Sequence, residues 1–270
     1  RRLASFHTIE RIAGHFIIGT GKFFERLYFI LFSTTGNLKN FMQKKILAIV
    51  ALCIGITGFS QSGKTTSKPI HKPVMVQIST NYGNIIIQLS DSTPLHRDNF
   101  VKLVKEHFYD SLLFHRVIQG FMIQGGDPNS KNADSLAMLG AGEAIGDRIP
   151  AEFNKTLFHQ KGALAAARDD NPLKASSNCQ FYIVQGKKIS DEQLNNIECN
   201  IRMENPSFYY TDAQRKVYKT IGGTPMLDQN YTVFGQVIKG MDVIDKIAAL
   251  ATNQYDRPLK NVRMKIKLLN

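Results

Sequence analysis

The chain has 270 residues, enough for one sizeable core, and a formal net charge of +12. The charge is uneven: residues 1–61 carry eight Lys/Arg against two acids, whereas residues 62–270 carry 26 against 20, with the signs interspersed. A mild excess without a basic run speaks against nucleic-acid binding. Three cysteines without zinc spacing and seven scattered histidines speak against a metal centre, so no metal and no cofactor is expected.

Residues 1–41 contain no Met and begin Arg1-Arg2, and they are read as an upstream or non-native extension. Residues 42–61 run from Met42-Gln43-Lys44-Lys45 through an apolar stretch, Ile46 to Phe59, to Ser60-Gln61. A positive start, a short apolar run and a small-residue exit are the pattern of a secretory signal peptide, which predicts an exported, periplasmic destination without excluding a membrane tether. The apolar run is short of the roughly 20 residues that a membrane span needs. Gly58-Phe-Ser-Gln-Ser-Gly63-Lys64-Thr65 matches a phosphate-loop pattern. That chemistry needs a helix to open directly after the lysine, and Pro69 and Pro73 forbid one, so no nucleotide is expected and 62–73 is a linker.

The remaining stretch, 74–270, alternates like strands. Val74, Val76 and Ile78, then Ile85, Ile87 and Leu89, flank a turn at Asn81-Tyr82-Gly83-Asn84. Thr93 offers an N-cap and Pro94 a first helical position, and Phe100, Leu103, Val104 and Phe108 follow at helical spacing, which predicts a helix over 94–108. Short strands are predicted near 112–118, 121–124, 162–167, 180–184 and 231–238. A second helix covers 241–250, and Val262, Met264, Ile266 and Leu268 alternate in a last strand. The connection 186–225 is long; Ser190-x-x-Gln193 and Thr211-x-x-Gln214 read as capping boxes for helices near 191–203 and 212–220. Many short strands with two helices far apart in sequence suggest a mainly β protein, a closed antiparallel barrel with helical caps. Cys179 and Cys199 are either two free thiols or, in an oxidising compartment, a disulfide.

Four blocks carry chemistry. The first runs Phe114-His115-Arg116-Val117-Ile118-Gln119-Gly120-Phe121-Met122-Ile123-Gln124-Gly125-Gly126-Asp127. The others are Gly162 to Arg168, Ser177 to Ile183, and Met226 to Gly235. Together, and in this order, they resemble the cyclophilins, the peptidyl-prolyl cis/trans isomerases, over most of 74–270. The resemblance implies an eight-stranded barrel, with 186–225 as a helical insertion.

Rotation about an X–Pro bond must cross roughly 20 kcal/mol, because amide resonance is lost at 90°. In the twisted state the proline nitrogen regains a basic lone pair. A fixed cation donating to it stabilises the transition state and not the planar ground state. The resemblance assigns that role to Arg116, since a guanidinium stays charged and its fork reaches two atoms. Gln124 would hold the substrate backbone and orient Arg116, with Gln180 a second polar wall. Phe121, Met122, Tyr182 and Leu227 would wall the proline pocket with Tyr231 at its rim, and the strand at Ala167 and Arg168 would pair with the peptide backbone. His115 is either a polar neighbour of the substrate or a satisfied structural histidine. Met226 stands where eukaryotic members usually carry a tryptophan that helps hold cyclosporin, so weak cyclosporin binding is expected. Tyr182 stands in place of a phenylalanine, and its hydroxyl needs a partner. The expected partners are proline-containing peptides and unfolded proteins, bound by a monomer. Loss of Arg116 would have favoured a peptide-binding chaperone without catalysis.

Overall fold

A computed structural model describes residues 72–269. The extension, the signal-peptide segment, the phosphate-loop pattern and most of the linker lie outside the described residues. Eight strands form one sheet. They are β1 (Met75–Thr80), β2 (Gly83–Leu89), β3 (Phe114–Ile118), β4 (Met122–Gly125), β5 (Ala163–Ala166), β6 (Phe181–Val184), β7 (Val233–Lys239) and β8 (Lys265–Leu269). The helices are α1 (Pro94–Lys105), α2 (Asp191–Glu204), α3 (Asp212–Thr220) and α4 (Met241–Ala248). The order across the sheet is β3-β4-β6-β5-β7-β2-β1-β8, and every ladder is antiparallel.

Strand alternation sorts the side chains. Val76, Ile78, Ile85 and Ile87 from the first hairpin, Ile123 from β4, Leu164 from β5 and Ile183 from β6 fill the interior of the curled sheet. Phe100 of α1 packs there edge-on against Phe181 at a centroid distance of 5.5 Å, and against Tyr109 at 5.1 Å. Val243, Ile244 and Ile247 of α4 join the same core, so both helices cap it. The outward residues of the central strands, Met122, Ala163, Ala165, Tyr182, Val184 and Val233, are buried as well and form a separate cluster. That second buried face carries the site described below.

The edge strands do not form a ladder with each other. Leu113 and Arg263 make a single antiparallel bridge, with Phe114 N–H donating to the Val262 carbonyl at 2.9 Å and Met264 N–H to that of Leu112 at 2.8 Å. Val262 and Met264 are buried as their alternation predicts, but they pair ahead of β3, and β8 proper begins at Lys265.

Helix α1 stops earlier than its apolar spacing suggests. His107 adopts φ +56°, and the His107 and Phe108 N–H groups bond back to Val104 and Leu103. This is a Schellman ending, with Phe108 packed on the core. Its start also differs: the Thr93 side chain makes no cap bond, and the Glu152 carboxylate takes the Leu95 and His96 N–H groups at 3.1 and 3.0 Å. A carboxylate on a helix N-terminus satisfies free donors and the dipole together.

The insertion forms its own small core of Ile189, Leu194, Ile201, Phe208, Tyr210 and Tyr218. Both capping boxes are made, Ser190 with Gln193 and Thr211 with Gln214. The insertion leaves and returns through one neck, where a Cβ on Gly186 would lie 2.5 Å from the Gly223 Cα, so the close backbone approach requires glycine.

Candidate active site

The outer face of β4, β5 and β6 supplies the floor of a pocket of about 100 Å³, lined by Phe121, Met122, Ala167, Tyr182, Leu227 and Tyr231 with Arg116, Gln124 and Arg168 at its polar side. Met122 and Gln124 project to this face because Ile123 between them projects inward. Arg116 faces Gln124 across the β3–β4 ladder, next to a register shift between Phe114 and Arg116. Such irregularities re-aim side chains.

Arg116 is less than half exposed, and its Nε lies 3.4 Å from Asp256 Oδ2. The expected orienting bond from Gln124 is not the one formed: Gln124 Nε2 donates to Gln180 Oε1 at 3.3 Å, and Asp256 holds Arg116 instead. Gln180 is buried behind Gln124, where its own Nε2 donates to the Gly140 and Gly142 carbonyls at 3.0 and 2.7 Å. It braces the wall and does not line the pocket.

Arg168 lies with its guanidinium 4.8 Å from the centroid of the Tyr231 ring, while its Nε donates to the Asn230 carbonyl at 2.8 Å. Ala167 has both backbone groups in use, its N–H to Gln180 and its carbonyl from Ser177. The Arg168 N–H and C=O have no partner among the described residues. An unpaired N–H and C=O at a pocket edge is what an extended peptide needs for strand-like pairing.

The partly exposed Arg116 fork beside an apolar ring-sized pocket, with an unpaired backbone edge, is equipped to bind a prolyl peptide and to stabilise a twisted amide. The family model for the cyclophilin-type peptidyl-prolyl cis-trans isomerases matches residues 75–267. The chain belongs to this family. It is 34% identical over 184 residues to a protein named as a peptidyl-prolyl cis-trans isomerase in Staphylococcus saprophyticus, covering 68% of this chain and 85% of the relative. It is 33% identical over 190 residues to one in Staphylococcus haemolyticus, covering 70% and 87%. The crystal structure of a Cryptosporidium parvum cyclophilin-type isomerase matches its fold with a TM-score of 0.54 at 23% identity, over 74% of this chain and 99% of that one. The same protein has been crystallised in the presence of the dipeptide Ala-Pro, and that structure matches with a TM-score of 0.53. This chain is a cyclophilin-type isomerase that turns X–Pro bonds.

Besides Gln180, two of the residues named from sequence lie away from this pocket of the cyclophilin. His115 is 3% exposed and lines an adjoining cavity of about 630 Å³ beside Gly140. Neither ring nitrogen has a partner, and burial pushes its pKa down to about 4, so the ring is neutral at pH 7. Met226 is 47% exposed and faces a different groove, while its neighbour Leu227 lines the pocket.

Sequence reasoning asked for a partner to the Tyr182 hydroxyl without finding it. That partner is His159 Nε2, at 2.9 Å. His159 Nδ1 lies 2.7 Å from Asp228 Oδ1, which also accepts the His159 backbone N–H at 2.8 Å. An ionised carboxylate only accepts, so Nδ1 donates to Asp228 and Nε2 is left to pair with the Tyr182 hydroxyl. The Tyr210 hydroxyl donates to Asp228 Oδ2 at 2.8 Å, as does that of Tyr218. Burial, with the Asp228 charge adding to it, raises both phenols above their usual range; burial also raises Tyr182. Asp228 sits inside the fourth block, which was the available signal, yet nothing local showed which groups would meet it. Cys179 is buried and Cys199 exposed, and both are free; burial pushes the Cys179 thiol up to about 11.

Proposed function

We propose that Arg116 is the catalytic group of this isomerase and that the proline ring enters the pocket walled by Phe121, Met122, Tyr182 and Leu227, with Tyr231 at the rim. The observation that carries this is the placement of a half-exposed guanidinium at the mouth of an apolar cavity with room for a pyrrolidine ring. As the amide twists, Arg116 donates to the pyramidal nitrogen, while the Arg168 N–H and C=O hold the flanking peptide. Gln124 contacts the peptide on the Arg116 side, and Asp256 keeps the guanidinium from swinging into solvent. No covalent bond forms or breaks, so no base or nucleophile is required.

The expected outcome for Arg116→Ala is a loss of roughly 10²–10³-fold in kcat/KM on a short X–Pro peptide, the scale of removing one transition-state donor. The folded variant should still bind the peptide. An unchanged isomerisation rate overturns the assignment.

The working form is read as an exported, periplasmic monomer acting on proline-containing segments of unfolded proteins. The charge and apolar pattern of residues 42–61 supports export. Slow X–Pro isomerisation, tens of seconds or more, is what such clients meet on folding. The bridge between Leu113 and Arg263 supports reading the sheet as a closed barrel. Met226 faces away from the pocket and supplies no indole at its edge, which supports weak cyclosporin binding; adding the drug to the same isomerisation assay reads this directly, and strong inhibition would refute it.

A further inference from the structure

The insertion builds a second groove against the isomerase pocket. It encloses about 510 Å³ between the α2 face carrying Ile197 and Ile201, and Phe153 and Met226 opposite. Met226 at 47% and Phe153 at 37% exposure leave apolar surface open to solvent, although neither belongs to the proline pocket. The groove and the pocket share a wall one residue thick. Met226 and Asn230 line the groove while the next residue in each case, Leu227 and Tyr231, lines the pocket. Consecutive Cα atoms are about 3.8 Å apart, so a peptide with its proline seated reaches the groove within a few residues.

We propose that this groove is a specificity subsite for an apolar side chain, of the size of Leu or Phe, on the same substrate chain a few residues from the proline. This rests on the reading of the proline pocket given above. Charge decides the chemistry. The charged groups lining the groove are Lys174 and Glu204, and they neutralise each other: Lys174 Nζ donates to Glu204 Oε2 and to Asn230 Oδ1, both at 2.6 Å. An acidic or basic side chain would find no uncompensated partner, whereas an apolar one covers Ile197, Ile201 and Met226. The rim amides of Asn200, Asn205 and Gln229 offer donors and acceptors to the peptide backbone.

Position is also controlled. Lys174 ties α2 to the segment that carries Leu227 and Tyr231. On the other side Asp228, between the two shared-wall residues, is bonded to Tyr210 and Tyr218 of the insertion. The groove is therefore held in register with the pocket, as a subsite must be to read sequence at a set distance from the proline.

The test is a peptide scan with the full chain. A short X–Pro peptide is compared with longer ones that carry a single Leu, in an otherwise Ala/Gly background, at each position from four before to four after the proline. The expected result is a KM about tenfold lower for one or two adjacent Leu positions. In Asn200→Trp, where an exposed residue is enlarged to fill the groove, that preference should vanish while kcat/KM on the short peptide stays put. Ile197→Glu should do the same by charge. Normal turnover of the short peptide with a flat Leu scan overturns the subsite, as does a preference that survives Asn200→Trp. If the flat scan comes with a mass that doubles at high concentration and returns to monomer in Asn200→Trp, the groove belongs to a second copy of the chain. Failure to isomerise any X–Pro peptide would instead remove the pocket reading, and the subsite with it.

Discussion

At the scale of single residues, chemistry follows from what each side chain finds within about 3 Å. Arg116 finds Asp256 at 3.4 Å, across partly exposed surface where an ion pair contributes little and yields readily to a substrate. Tyr182 finds His159, which lets a phenol stand in an apolar wall without an unsatisfied hydroxyl. His115 finds nothing for either nitrogen, and its burial keeps it neutral with a pKa of about 4 against an ordinary 6.5. The unfolded chain therefore binds a proton that the folded one refuses, so the stability this histidine contributes is fully present above about pH 6.5 and is lost as pH falls through 4. A shift of that size amounts to roughly 3 kcal/mol. Urea unfolding at pH 7 and pH 4 should show a loss smaller by about that amount in His115→Asn than in the unaltered protein. Parallel losses in the two would show that His115 is not the group responsible.

At the scale of elements, the insertion is held to the sheet by a buried carboxylate. Asp228 accepts from His159 on the sheet side and from Tyr210 and Tyr218 on the insertion side, at 2% exposure. Asp228→Ala would strand one histidine and two phenols away from water. Breaking one partner of a buried charged network costs roughly 3–5 kcal/mol, so the urea midpoint should fall steeply. A loss under about 1 kcal/mol would mean that the insertion is secured by its apolar core alone. Helix α1 is completed the same way, by Glu152 from a distant loop, with His96 Nδ1 at 2.7 Å from the same carboxylate. In both cases an acid remote in sequence closes a network that the local chain leaves open.

At the scale of the whole molecule, one sheet supports two buried faces. The inner face holds the core with α1 and α4; the outer face holds the pocket beside Arg116, and α2 with the segment from Met226 to Tyr231 lines a second groove next to it. Residues 163–166 are buried throughout for this reason, and small alanines at 163 and 165 let the outer cluster sit close to the sheet. Among the described residues no helix is long and apolar enough to cross a membrane. The export reading belongs to residues 42–61 and is checked on the intact native protein by mass spectrometry. The expected mature chain begins near Ser60/Gln61, and one beginning upstream of Met42 would refute the reading.

Period-two alternation in Val76, Ile78, Ile85 and Ile87, helical spacing from Phe100 to Phe108, and the paired Ser/Thr-x-x-Gln caps are local signals. They were sufficient for the strands, the helices of the insertion and the mainly β class, because backbone geometry alone sets those periods. The four blocks were likewise sufficient for the family, and Arg116, Phe121, Met122, Leu227 and Tyr231 from them line one cavity. What the tertiary structure decided are the contacts between residues far apart in the chain: Glu152 in place of Thr93 at the start of α1, and Asp256 in place of Gln124 beside Arg116. It also decided the relay from Tyr182 through His159 to Asp228, and the turning of Met226 away from the pocket into a groove of its own. A charged or hydroxyl side chain carries no period, and its partner is whichever complementary group folding brings within 3 Å, which spacing along the chain does not encode.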